Sequence, residues 1–213
     1  MWIDITQQLT NNIAHWPGDE PFHFKLSATK EETGSVNIGS ISTSTHIGTH
    51  MDAPYHFDEE GIKIHEIDVN RLIGDATLIE IMDETLITQE ILKKYDIKGT
   101  IIMIKTKSEA HSEVFPESVP VLTEDAIQYL SSIEIKVFGI DVPSVDDIDS
   151  KTLDNHHAFN QYDIINIENL LLENVSEGYY NFIGLPLNIV GADGSPIRAV
   201  IAKKGSSCER ISR

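Results

Sequence analysis

Basic residues are scarce in this chain: 16 lysines and arginines stand against 34 aspartates and glutamates, for a formal net charge of −18. A field that negative repels phosphate backbones and anionic lipid, so nucleic acid and membrane surfaces are poor partners. It leaves a small neutral or zwitterionic substrate open. Cysteine is nearly missing as well. Cys208 stands alone, which excludes an intrachain disulfide and any four-cysteine zinc site and fits a reducing cytoplasm. No apolar run approaches the ~20 residues of a membrane helix. The start, MWIDITQQLTNN, has neither the basic nor the apolar region of a signal peptide. Internal repeats, low-complexity tracts and linker-like runs of Gly, Ser or Pro are also missing. The expectation is one cytoplasmic unit over residues 1–213, with 40% apolar content to close its core.

What is present reads as mixed α/β. Short β-branched segments predict strands at 38–45, 75–81, 100–106, 137–142, 162–167, 179–185 and 197–202. Helices are expected after Thr88 (TQEILKKY) and Thr123 (TEDAIQYLSS), where each threonine can cap and acidic residues sit in the first turn. Residues 146–159 read equally well as helix or loop. GADGSP (191–196) is rich in turn residues and lacks the Gly-Lys-Ser/Thr ending of a phosphate loop, so it is read as a tight turn without chemistry.

Residues 46–56, HIGTHMDAPYH, hold three of the chain's nine histidines. On a helix Asp52 would lie about 200° round from His50, and Gly48 and Pro54 oppose a helix. In an extended chain His46, His50, Asp52 and His56 share one parity and hence one face. At ~3.3 Å per residue His50 and Asp52 sit roughly 6–7 Å apart, but His46 would be roughly 20 Å from Asp52. The chain must therefore turn, and Gly48 is the residue that permits it, while Pro54 fixes the direction into His56. Imidazole plus carboxylate is a ligand set for zinc, manganese or iron, and three protein ligands leave a position open for water. A Ser-His-Asp triad is the weaker reading, because no Gly-x-Ser-x-Gly elbow occurs. His15, His23, His65 and His111 read as ordinary core or surface residues. His156 and His157 (LDNHHAFN) and Glu168 (NIENL) are further candidates, but their spacing does not establish that they converge with the first cluster.

STHIGTHMDAPYHF resembles the H-x-G-T-H-x-D-x-P-x-H signature of the cyclase family of metal-dependent hydrolases. The resemblance extends to MWIDITQQL, AHWPGD, FGIDVPSVD, NHHAFN, IENL and LPLNIVGADGSPIRAV, and within the family it is strongest toward bacterial formamidases. It implies a mixed α/β domain with a β-barrel-like core and flanking helices, assembled as a homodimer. By position, His46, His50 and Asp52 match first-metal ligands. Asp52 and Glu168 match carboxylates bridging to a second ion, whose remaining ligand matches His156, with His157 as the neighbouring alternative. His56 matches the acid/base and Trp16 an aromatic lining the substrate pocket. The implied cofactor is Zn²⁺, one or two ions per subunit, or Mn²⁺. The implied reaction is hydrolysis of an aryl formamide, N-formyl-L-kynurenine, to L-kynurenine and formate in tryptophan degradation. Opening of a cyclic amide or lactone, and a non-catalytic metal-binding domain, are the rival readings.

Overall fold

A computed structural model describes residues 1–107 and 110–205; Cys208 lies outside them. In chain order the elements are β1 (Trp2–Asp4), β2 (His23–Ala28), α1 (Lys30–Thr33), β3 (Ile38–Ser42), β4 (His50–Asp52), β5 (Ile73–Glu80), β6 (Leu86–Ile87), α2 (Gln89–Leu92) and β7 (Ile101–Lys105). There follow β8 (Val121–Leu122), α3 (Glu124–Ser132), β9 (Val137–Ile140), α4 (Asp154–Gln161), β10 (Ile165–Glu168), β11 (Gly178–Pro186) and β12 (Gly194–Lys203).

Seven strands close a barrel in the order β12-β11-β5-β7-β9-β10-β4, and β4 returns to pair with β12. The four strands β5, β7, β9 and β10 run parallel to one another; the remaining barrel pairings are antiparallel. Parallel strands covered on both faces need uninterrupted apolar runs, and every residue of β7 and β9 is buried. Alternation then divides them. Ile101, Met103 and Val137 join an interior cluster to which all seven barrel strands contribute. Ile102, Ile104 and Phe138 face outward and pack with Leu92 of α2, Ile127 and Leu130 of α3 and Phe159 of α4. The expected α/β class with a barrel-like core and flanking helices is the observed one.

Several local expectations shift. The strand expected at 38–45 ends at Ser42 and pairs with β2 in a hairpin outside the barrel. The strand expected from Tyr162 starts at Ile165, because Tyr162 ends α4 and Asp163 takes a left-handed φ of 56°. Residues 146–159 divide into an irregular segment and α4. Thr88 caps α2, its hydroxyl accepting the Ile91 N–H, whereas the Thr123 hydroxyl donates to Asp125 and the Ile87 carbonyl and caps no N–H of α3. Among the described residues no helix is long and apolar enough to cross a membrane.

Candidate active site

The site grows from the register of β4. Glu168 of β10 stands opposite His50, and Gly194 of β12 stands opposite Asp52. Met51 and Ile167 point into the barrel. His50, Asp52, Asn166 and Glu168 therefore project from its outer face, as the two-residue period of a strand requires. α4 lies beside that face and contributes His156.

The turn expected before His50 is present: Gly48 has φ +56°, and a Cβ there would come within 2.8 Å of Leu9. It folds His46 back until Nδ1 is 2.8 Å from Asp52 Oδ1. Gly194 makes room for that ring, since a Cβ there would sit 2.7 Å from His46 Cε1. One donor atom each from His46, His50 and Asp52 falls within 4.8 Å of the others, and the same holds for Asp52, His156 and Glu168. Asp52 belongs to both groups. His156, not His157, enters the cluster: its Nε2 lies 3.3 Å from Asp52 and 3.6 Å from Glu168, whereas His157 packs edge-on against Phe57.

The donors are held from behind. His50 Nδ1 donates to the Gly48 carbonyl (2.9 Å), which leaves Nε2 facing Asp52 and Glu168 at 3.5 and 3.4 Å. His156 Nδ1 donates to Asp146 (2.6 Å). Asn166 Nδ2 donates to Asp52 (2.6 Å) and to Glu168 (3.2 Å), and the Val145 N–H donates to Glu168 (3.0 Å). Rings with one nitrogen tied to an outside acceptor and the other turned toward buried carboxylates are arranged as metal-ligating histidines are. The donor set, three imidazoles and two carboxylates without a thiolate, suits a divalent ion such as zinc or manganese.

The electrostatics agree. Burial opposes the charged form of His46, but Asp193 and Asp52 outweigh it and hold the imidazole up at about 10. Burial likewise opposes charge on His156, and Asp146, Asp52 and Glu168 push it up to about 10. Burial would raise Asp52, yet His156 and His46 hold it well below the usual carboxylate range. Buried Asp52 thus depends on nearby positive charge.

His46, His50, Asp52, His56, His156, Glu168 and Trp16 all line one cavity of about 360 Å³. His56, at the end of a short 3₁₀ turn that Pro54 begins, packs 4.0 Å (ring centroids) from His46 and keeps 31% side-chain exposure. Trp16 meets Phe115 edge-to-face at 5.1 Å, and both form an aromatic wall. His15 and His111, read above as ordinary residues, line the same cavity.

One expectation is overturned. Of GADGSP only Gly191 belongs to a turn, with Val190 before it; Gly194 already begins β12, and Asp193 is part of the site. Asp193 accepts from His46 Nε2 (3.1 Å) and the Thr45 hydroxyl (2.8 Å), and it faces His56 Nδ1 at 3.7 Å. The hydrogen bond from His46 and the facing His56 ring drive its carboxyl far below the ordinary range. An Asp between turn residues carries no local sign of this role; only the β12–β4 pairing brings it to His46.

Residues 3–147 match the Cyclase family model, described as “Putative cyclase”, over more than half of the chain. The chain belongs to the cyclase family. A curated relative, the kynurenine formamidase of Bacillus cereus, is 45% identical over 201 residues, covering 94% of this chain and 96% of its own. A solved structure described as a potential metal-dependent hydrolase with cyclase activity aligns with a TM-score of 0.80 at 27% identity, covering 94% of this chain and 96% of that one. Isatin hydrolase A from Ralstonia solanacearum aligns with a TM-score of 0.79 over 94% of this chain and 91% of its own. At 19% identity that likeness shows the cyclase-family fold alone.

Proposed function

We propose that this protein is a metal-dependent amidohydrolase that converts N-formyl-L-kynurenine to L-kynurenine and formate, a step of tryptophan degradation. The observation that carries the reading is a five-donor cluster beside a partly exposed His56, all lining one cavity, in a chain 45% identical over nearly its whole length to a kynurenine formamidase. Opening of a cyclic amide gains nothing comparable, since the isatin hydrolase likeness is one of fold.

His46, His50 and Asp52 would hold one ion, and Asp52, His156 and Glu168 a second; zinc fits best and manganese is the alternative. A divalent ion there would supply Lewis acidity and would make water at the site acidic enough to ionise near pH ~7. Asn166 fixes both carboxylates, and the Gly48 carbonyl and Asp146 fix the two buried rings, so the donors need no reorganisation during the reaction. His56 Nδ1 faces Asp193, which leaves Nε2 turned away from that carboxylate and available to the cavity. At Nε2 the ring takes a proton from the attacking water and returns it to the aniline nitrogen as the C–N bond of the formamide breaks. Trp16 stacks on the aryl ring and holds the formyl carbon over the cluster; such contacts contribute about 0.5–1.5 kcal/mol beyond area burial. Residues 1–213 act as one domain, in a cytoplasmic homodimer. Retention of an imidazole outside the donor set, beside an open cavity, speaks against a purely structural metal site.

The test is hydrolysis of N-formyl-L-kynurenine by zinc- or manganese-loaded protein, followed by kynurenine absorbance with a chelated control. Chelator-sensitive turnover is expected. Metal-loaded protein without turnover would remove the formamidase reading.

A further inference from the structure

Resting on that reading, we propose that Lys107 receives the carboxylate of the substrate's amino-acid tail, so that the cavity prefers zwitterionic aryl formamides to plain anilides. Lys107 follows β7, at the carboxyl ends of the parallel strands β7 and β9, where α/β sheets place their ligands. Its backbone is pinned there: its N–H donates to Asp141 Oδ2 at 3.2 Å, just past the end of β9. Its half-buried side chain lines the cavity that holds the donor cluster and the Trp16–Phe115 wall.

Among the described residues the ammonium is short of partners. Asp141 is near enough to act on it electrostatically, but that carboxylate already accepts the Thr106 N–H (3.0 Å), the Thr106 hydroxyl (2.6 Å) and the Lys107 N–H. No ion pair forms at Lys107 Nζ among the described residues. Burial draws the ammonium below its ordinary value, with Asp141 offsetting only part of this. A partly desolvated cation without a contact anion gains most when an anionic ligand arrives. Lys151 lines the same cavity but is exposed, where screening leaves an ion pair worth little. In a chain of net charge −18, a cation here runs against the general trend. Cavity volume also fits, as pockets for ligands of this size begin near ~300 Å³.

The test compares two substrates on the metal-loaded enzyme: N-formyl-L-kynurenine, and 2-formamidoacetophenone, the same aryl formamide without the tail. K107M keeps the apolar stem and removes the charge. It should lower kcat/KM for the first on the order of 10–100-fold, mostly through KM, and leave the second within about twofold. K107R should restore part of the loss. Equal losses on both substrates, or none on the first, overturn the proposal. A second arm needs no turnover: calorimetric binding of L-kynurenine and 2-aminoacetophenone to wild type and K107M. Weakening confined to L-kynurenine supports Lys107; equal affinities in the two proteins, or no binding of L-kynurenine to wild type, overturn it. Wild type that hydrolyses neither formamide refutes the formamidase reading, while the binding arm still decides the role of Lys107.

Discussion

Replacing Asp146 by asparagine isolates the support behind one ligand from the ligand itself. Asp146 is 5% exposed. Its Oδ2 accepts both His156 Nδ1 (2.6 Å) and the His156 N–H (3.0 Å), and its Oδ1 accepts the Asn155 N–H (2.9 Å). An amide of the same shape offers one acceptor oxygen, so its NH₂ must face an N–H donor. The imidazole then loses the charged partner that orients it and keeps its other nitrogen basic. Losing such a partner weakens metal binding about 10–100-fold, or roughly 1.4–2.7 kcal/mol. The inward-facing NH₂ adds a buried unsatisfied donor, which costs the fold about 1–3 kcal/mol. The assay is competition with a fluorescent zinc chelator, resolving two binding steps, and a thermal melt. Only the step assigned to His156 should weaken; the step assigned to His46 and His50 should stay within about twofold. Unchanged affinity in D146N, or equal weakening of both steps, would refute the reasoning.

Three further outcomes are expected. H56A should keep its full metal content by elemental analysis and lose about 10²–10⁴-fold in kcat, since general acid–base groups contribute on that scale; near-normal kcat would remove His56 from the chemistry. G194A places a Cβ 2.7 Å from His46 Cε1, so overpacking should cost about 1–3 kcal/mol in a denaturant titration and reduce zinc stoichiometry; a wild-type melt with full zinc would refute this. In metal-free protein His46 and His156, both held up at about 10, carry protons near pH 7.5 that ligation displaces. Zinc titrations in buffers of different ionisation enthalpy should report a net release of protons, and buffer-independent heats would contradict the assignment. The sign for stability follows: in metal-free protein this contribution is complete below the free imidazole pKa near ~6.5 and is lost as pH rises toward about 10.

The first half of the site was legible because its information is local. His50 and Asp52 share a strand face two residues apart, and Gly48 announces the turn that returns His46. The second half depends on register between distant segments. Nothing near Glu168 says that it stands opposite His50, and nothing in GADGSP says that Asp193 meets two histidines. α4 was ambiguous for a physical reason: Leu153 at its N-cap is in the left-handed region and provides no side-chain cap. Its buried side is only His156, Ala158 and Phe159, too sparse a stripe to signal a helix. Strands as short as β1 and β4, three residues each, give too little alternation to be read at all. The parallel barrel strands were plain because burial on both faces demands runs such as TIIMIKT.

The pairing of β4 with β12 also sets a timetable. His46, His50 and Asp52 leave the ribosome early, but the strands that flank them, at 165–168 and 194–196, are made more than a hundred residues later. At ~5–20 residues per second that interval is roughly 7–30 s. Until β12 arrives, β4 has an open edge and His46 lacks the Asp193 contact. A nascent chain therefore carries its signature histidines as loose side chains, and tight ion capture belongs to the last stage of barrel closure.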